Sequence, residues 1–198
     1  MCRFIETIQL KDGVFKRLPF HQARLEKTMS EFFPNNEFIS LEKYLKTIHY
    51  PSQGLFKCRV VYDTVIREME ITAYIRRQIQ SLRIIQSDIQ QLNYKSENRT
   101  DYEQVFAKRG NCDEIIICKN GLLTDTSFSN IALYDGISWY TPKHPLIYGV
   151  NRAELINLGL LTEIDIKMTD LLNFKRIRLF NAMIEFGEIE LDINKIVC

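Results

Sequence analysis

Two apolar periods share this chain, and their order restricts its fold more than any other feature. From Leu55 the apolar residues recur at every second position: Leu55 to Tyr62, Glu68 to Arg76 and Ser81 to Gln86 are rich in Val, Ile and Tyr and are parted by polar breaks. These three runs read as an antiparallel meander. Ahead of them the spacing is helical. Pro19 suits a first helical turn, and Phe20, Ala23, Leu25, Met29, Phe32 and Phe33 form a stripe that Pro34-Asn35-Asn36 stops. Ser40 to His49 reads as a second helix with Ser40 as its cap. The opening segment, Arg3 to Leu10, alternates again, and Lys11-Asp12-Gly13 turns it into Val14-Phe15 as a hairpin.

The same grammar continues. A short helix is expected at Tyr102 to Lys108, and hairpins at Asp113 to Cys118 with Lys119-Asn120-Gly121 and at Ser129 to Tyr134 with Asp135-Gly136. Gly149-Val150-Asn151-Arg152 leads into a helical stripe of Leu155, Ile156, Leu158 and Leu160. The tail gives strands at Glu163 to Lys167, Ile177 to Asn181 and Ile189 to Ile193, with a short helix at Thr169 to Asn173. The polar stretch from Gln86 to Thr100 is a linker or a functional loop, and it contains Lys95. The fold class is therefore α+β with a mainly antiparallel sheet, a small N-terminal domain at 1–86 and a larger C-terminal domain at 87–198, joined near 86–93.

Charge and composition close several routes. Twenty-six Lys and Arg against 25 Asp and Glu leave a net charge of +1, which argues against a nucleic-acid binder that works by neutralising many phosphates. No run of about 18 apolar residues occurs, and Glu6 interrupts the start where a signal peptide needs an unbroken apolar stretch. The expectation is a cytoplasmic protein without a membrane segment. Five cysteines without a C-x-x-C pair fit a reducing compartment, and none of the histidines His21, His49 and His144 stands at metal-ligand spacing, so no metal is expected.

Taken alone, Lys95 is one surface charge among many, Arg24 a helix-surface arginine, Asp125 a strand-end carboxylate, Gly149 a turn glycine and Arg59 a strand arginine facing solvent. Their order says more. The strand Phe4-Ile5-Glu6-Thr7-Ile8, the turn Asp12-Gly13, the helix His21-Gln22-Ala23-Arg24-Leu25, the window Asn93 to Arg99 around Lys95, Leu123-Thr124-Asp125, Ser129-Asn130-Ile131 and Tyr148-Gly149-Val150-Asn151-Arg152 together resemble the class IV aminotransferases. These are fold-type IV pyridoxal-phosphate enzymes, D-amino-acid aminotransferase-like, and the resemblance covers nearly the whole chain.

The resemblance implies a cofactor, pyridoxal 5'-phosphate, and a site. Lys95 is then the Schiff-base lysine, Asp125 the acid beside the ring nitrogen, and Arg24 the arginine on the phosphate, where a planar fork suits the ligand. Gly149, Val150 and Asn151 supply backbone N–H groups at a helix start, which is an anion site. Asn130 belongs to the same set, Asn181-Ala182-Met183 is similar to the late loop against phosphate and substrate, and Arg59 stands where relatives present a substrate-contacting cation. His21 reads as a packing or hydrogen-bonding histidine. Two departures stand out: aspartate replaces the usual glutamate at 125, and the strands that relatives carry before F-x-E-T-I are missing, which implies a small domain trimmed at its start.

Three functions follow from the resemblance. K-x-x-N-R at Lys95, Asn98 and Arg99, with Asn181-Ala182, is similar to the 4-amino-4-deoxychorismate lyase branch, which forms p-aminobenzoate and pyruvate for folate biosynthesis. The second is a branched-chain or D-amino-acid aminotransferase, and the third a family member without turnover. The first two imply a small-molecule amine as ligand, the third binds pyridoxal phosphate or nothing, and the resemblance implies a homodimer as the assembly.

Overall fold

The computed structural model describes residues 2–90 and 94–197, and the chain divides into two compact units, Met1–Ile75 with Tyr94–Asn98 and Arg76–Asn93 with Arg99–Cys198. In the first, β1 (Phe4–Lys11), β2 (Val14–Phe15), β3 (Leu55–Tyr62) and β4 (Ile66–Ala73) form an antiparallel sheet in the order β2-β1-β3-β4. The β1–β2 turn is closed by Asp12 and Gly13, both at positive φ (49° and 77°). That is the backbone twist two-residue hairpins favour.

Helix α1 (Leu18–Phe32) buries His21, Leu25, Thr28 and Met29. That face packs on the alternate positions Phe4 and Ile8 of β1 and on Cys58, Val60 and Tyr62 of β3. Helix α2 (Leu41–Leu45) starts as expected, with Ser40 Oγ accepting from the Lys43 N–H. It stops four residues before His49, because Thr47 bonds back to the Tyr44 carbonyl through both its N–H and its hydroxyl. Residues 94–98 are neither linker nor free loop. The Ile5 N–H donates to the Lys95 carbonyl at 2.9 Å and the Glu97 N–H to the Arg3 carbonyl at 3.0 Å, so the segment runs as a short edge beside β1.

In the second unit, β5 (Leu82–Gln86), α3 (Thr100–Phe106), β6 (Glu114–Lys119) and β7 (Leu122–Leu123) come first. They are followed by β8 (Asn130–Tyr134), β9 (Trp139–Pro142), α4 (Val150–Asn157), β10 (Thr162–Ile164), β11 (Arg176–Phe180), β12 (Ile189–Asp192) and β13 (Ile196–Val197). Two sheets result, ordered β13-β5-β6-β7 and β10-β9-β8-β11-β12. One expectation is corrected here. β5 does not continue the antiparallel meander of the N-terminal part; it pairs in parallel with β6, Ile84 beside Ile116 and Ile85 beside Ile117. β6 is buried from Glu114 to Cys118 and so needs a neighbour in its own sheet. Residues 76–86 accordingly belong to the second unit. The expected connection near 86–93 lies partly outside the described residues. Most strand pairs are still antiparallel, and among the described residues no helix is long and apolar enough to cross a membrane.

Candidate functional site

Strand β1 sorts the first unit's polar groups onto two faces. Glu6, in phase with Phe4 and Ile8, points at α1 and is fully buried. Its Oε2 meets His21 Nδ1 at 2.5 Å. Arg24 donates to the same carboxylate with both arms of its fork, Nε to Oε1 at 2.8 Å and Nη2 to Oε2 at 2.6 Å. Burial pushes the Glu6 carboxyl up, but Arg24 and His21 outweigh it and hold the group at about 2. An ionised carboxylate only accepts, so His21 carries its proton on Nδ1. Burial also holds the imidazole below its usual value, against the pull of Glu6.

Thr7 faces the other way. Lys95 Nζ donates to Thr7 Oγ1 at 2.9 Å, and Arg59, the register partner of Thr7, shares that face. Arg59 is held by Glu97, Nη2 to Oε1 at 3.0 Å. The structure thus brings Lys95 and Arg59 to one face of the sheet and turns Arg24 and His21 to the opposite one.

The second unit gathers the remaining expected residues. Asp125 ends the segment after β7 and is buried. Its Oδ1 accepts from Asn130 Nδ2 at 2.8 Å and its Oδ2 from the Ile147 N–H at 2.9 Å. Asn130 also donates to the Ile147 carbonyl, and it lies so close to Gly149 that a Cβ there would meet Asn130 Oδ1 at 2.0 Å. Only glycine fits that approach. Gly149 begins α4 with no side-chain cap, and Val150 and Asn151 are buried at its first turn. Asn151 Nδ2 donates to the carbonyls of Asn181 and Ile184, while Asn181 Oδ1 accepts from the N–H groups of Met183 and Ile184 and closes the turn that holds Ala182. Gly149, Val150, Asn151, Asn181 and Ala182 are therefore one tied cluster, joined to Asp125 through Asn130.

Burial raises the Asp125 carboxyl to about 6, and the hydrogen bonds from Ile147 and Asn130 only partly offset this. Its folded value exceeds its unfolded one, so its share of stability is lost as pH rises through that window. The stability of the cofactor-free protein, taken as wild type minus Asp125→Asn, should fall by up to about 3 kcal/mol between pH 4 and pH 8. Urea denaturation at the two pH values checks this, and a flat difference refutes it. Taking the difference cancels the contributions of Glu6 and His21.

Sequence reasoning gave no role to Glu6, Thr7, Glu97 or Glu114. Glu6 had a visible signal, an acid at the buried phase of an apolar strand. Glu114 had the same signal in β6, where it accepts from Ser127 N–H and Oγ and braces the loop after Asp125.

One unit presents Lys95 at a sheet edge and the other an uncapped helix start joined through Asn130 to a buried acid, and the fold resembles that of the fold-type IV enzymes. The sequence profile of the class IV aminotransferases matches residues 3–190, and the chain belongs to that family of pyridoxal-phosphate-dependent enzymes. An uncharacterized protein of Haemophilus influenzae is 30% identical over 186 residues, which is 92% of this chain and 98% of that protein. A proposed 4-amino-4-deoxychorismate lyase from Haemophilus somnus 129PT superposes with a TM-score of 0.87 at 27% identity, covering 93% of this chain and 98% of that one. A proposed amino-acid aminotransferase from Mesorhizobium loti gives 0.83 at 20% identity over the full length of both chains, a likeness of fold.

Proposed function

We propose that this protein is a 4-amino-4-deoxychorismate lyase. The observation that carries the reading is Arg59 on the same sheet face as Lys95 and Thr7, oriented by Glu97 through one nitrogen so that its remaining N–H groups suit a substrate bearing carboxylates next to the amine that does the chemistry. K-x-x-N-R at Lys95 to Arg99, Asn181-Ala182 and the likeness to the H. somnus protein support the same branch.

The residues present fit pyridoxal phosphate. Asp125 is a buried carboxylate whose hydrogen-bond donors are neutral, so a protonated ring nitrogen suits it, and the uncapped start of α4 suits a phosphate dianion. Bound there, the cofactor supplies an aldehyde that condenses with amines and a ring that takes up an electron pair from the substrate carbon. Asp125 holds the ring-nitrogen proton, and Asn130 fixes the carboxylate's direction. The N–H groups of Val150 and Asn151 at the start of α4 would hold the phosphate, while Arg24 is committed to Glu6 within the first unit. Thr7 Oγ1 positions Lys95 Nζ. Once the substrate amine has taken its place, Lys95 Nζ removes the proton from the amine-bearing ring carbon. The C–O bond to the enolpyruvyl group would then break, the departing enolpyruvate would take back the proton that Lys95 removed and become pyruvate, and the ring would become aromatic as p-aminobenzoate.

An aminotransferase is the second reading, since the chain belongs to the class IV aminotransferases and the same proton abstraction begins both reactions. The cofactor-loaded protein is given 4-amino-4-deoxychorismate without any keto acid, and p-aminobenzoate and pyruvate are measured together. Equal amounts of the two are expected. Turnover that appears only with an amino acid and a keto acid overturns the lyase in favour of the aminotransferase.

A further inference from the structure

The chain is nearly neutral, and most of its arginines are answered locally. Eight of them, from Arg3 to Arg178, meet a carboxylate within 4.0 Å. Among the described residues Arg77, Arg83, Arg99 and Arg109 have no carboxylate within 4.0 Å, although Arg77 acts on the buried Glu114 from farther off and Arg99 donates to the Ser127 carbonyl. Arg77, Arg83 and Arg109 gather at one place in the second unit, where β5 and β6 begin and the turn after α3 comes past them.

Arg77 and Arg109 line a depression of about 560 Å³ there. Each guanidinium lies over an aromatic ring, Arg77 at 5.3 Å from the centroid of Phe128 and Arg109 at 4.3 Å from that of Phe106. Stacking fixes the plane of the fork and leaves its N–H edge to other partners. Arg83 stands behind the same wall: a Cβ on Gly110 would come within 3.1 Å of Arg83 Nη1, and Gly110 sits at φ +61°. A glycine is therefore what lets the third cation approach the backbone of this rim. Arg83 Nε is buried and has no hydrogen-bond partner. The one acid of the lining, Asp113, is turned to the backbone, its Oδ2 accepting from the Gln80 and Ser81 N–H groups and from Ser81 Oγ. None of the residues assigned above to the cofactor lines this depression.

We propose that the Arg77–Arg109 depression, backed by Arg83, is a second anion site that binds a phosphate-bearing small molecule. Three converging cations with two planar forks suit a group of two or more negative charges better than a single carboxylate. Phe106 and Ile79 give the non-phosphate part of such a molecule an apolar wall.

Inorganic diphosphate is the probe, titrated calorimetrically at low salt into protein saturated with pyridoxal phosphate. A saturable site is expected, weakened at least about tenfold in the Arg77→Ala/Arg109→Ala double variant. Arg77→Lys/Arg109→Lys, which keeps the charges and loses the forks, should fall between. Arg178→Ala, at an ion pair elsewhere, should bind as wild type does. Absence of saturable binding, or equal binding by the double alanine variant, overturns the proposal. The bound cofactor excludes diphosphate from the start of α4. If the protein takes up no pyridoxal phosphate, the function proposed above fails while the arginine dependence is still read directly.

Discussion

Lys95→Ala should lose at least about a thousandfold in turnover while keeping its fold. The two consequences separate because the structure uses the backbone and the side chain of this residue for different things. Its carbonyl accepts the Ile5 N–H and helps hold residues 94–98 at the edge of β1, a bond that alanine makes equally well. Its Nζ reaches Thr7 Oγ1, a half-buried contact whose loss costs about 1 kcal/mol or less. Borohydride reduction of the cofactor-loaded wild type, followed by peptide mapping, should place the label on the peptide carrying Lys95, and the variant should carry none. A small primary amine added to the variant should restore part of the rate, because the missing group is an amine on an otherwise intact site. A label on a different lysine, or a variant that turns over like wild type, sinks the role of Lys95 altogether.

What could be read from the sequence follows the range of the forces involved. The Asp12-Gly13 turn and the Ser40 cap are set within a few residues, and they stand where local spacing puts them; of the α1 stripe only Leu25 and Met29 are buried, beside His21 and Thr28, while Ala23 and Phe32 are exposed. The direction of β5 is different. Leu-Arg-Ile-Ile-Gln fits a parallel strand as well as an antiparallel one, and its partner β6 lies beyond α3, so nothing local chooses. The candidate site divides in the same way. Order along the chain sufficed to single out Lys95, Asp125 and the Gly149-Val150-Asn151 turn. Of the contacts that make them usable, Thr7 on Lys95, Asn130 on Gly149 and Asn151 on Asn181 join segments distant in sequence, and only Asn130 on Asp125 is local. Arg24 shows the limit most plainly, since only three dimensions reveal that two arms of its fork are committed to Glu6.

That commitment makes Glu6→Gln the substitution expected to cost the most stability, about 3–5 kcal/mol. Glu6 and His21 are fully buried, and the Arg24 side chain is only 12% exposed. With glutamine, a guanidinium stays buried without its counter-charge. The amide offers one oxygen where the carboxylate served two Arg24 nitrogens, and its NH2 faces a donor. Adding Arg24→Met should return much of the loss, because the second change removes the uncompensated charge rather than a further favourable contact. The pH dependence identifies the carboxylate itself. Glu6 is held at about 2 when folded, below its ordinary 4.5, so its contribution is fully present above pH 4.5 and is lost as pH falls through about 2. Wild type should therefore lose about 3 kcal/mol across that interval that Glu6→Gln does not lose. Chemical denaturation at pH 5 and pH 2.5 measures both quantities, and parallel losses in the two proteins would show that the carboxylate is not what holds this network together.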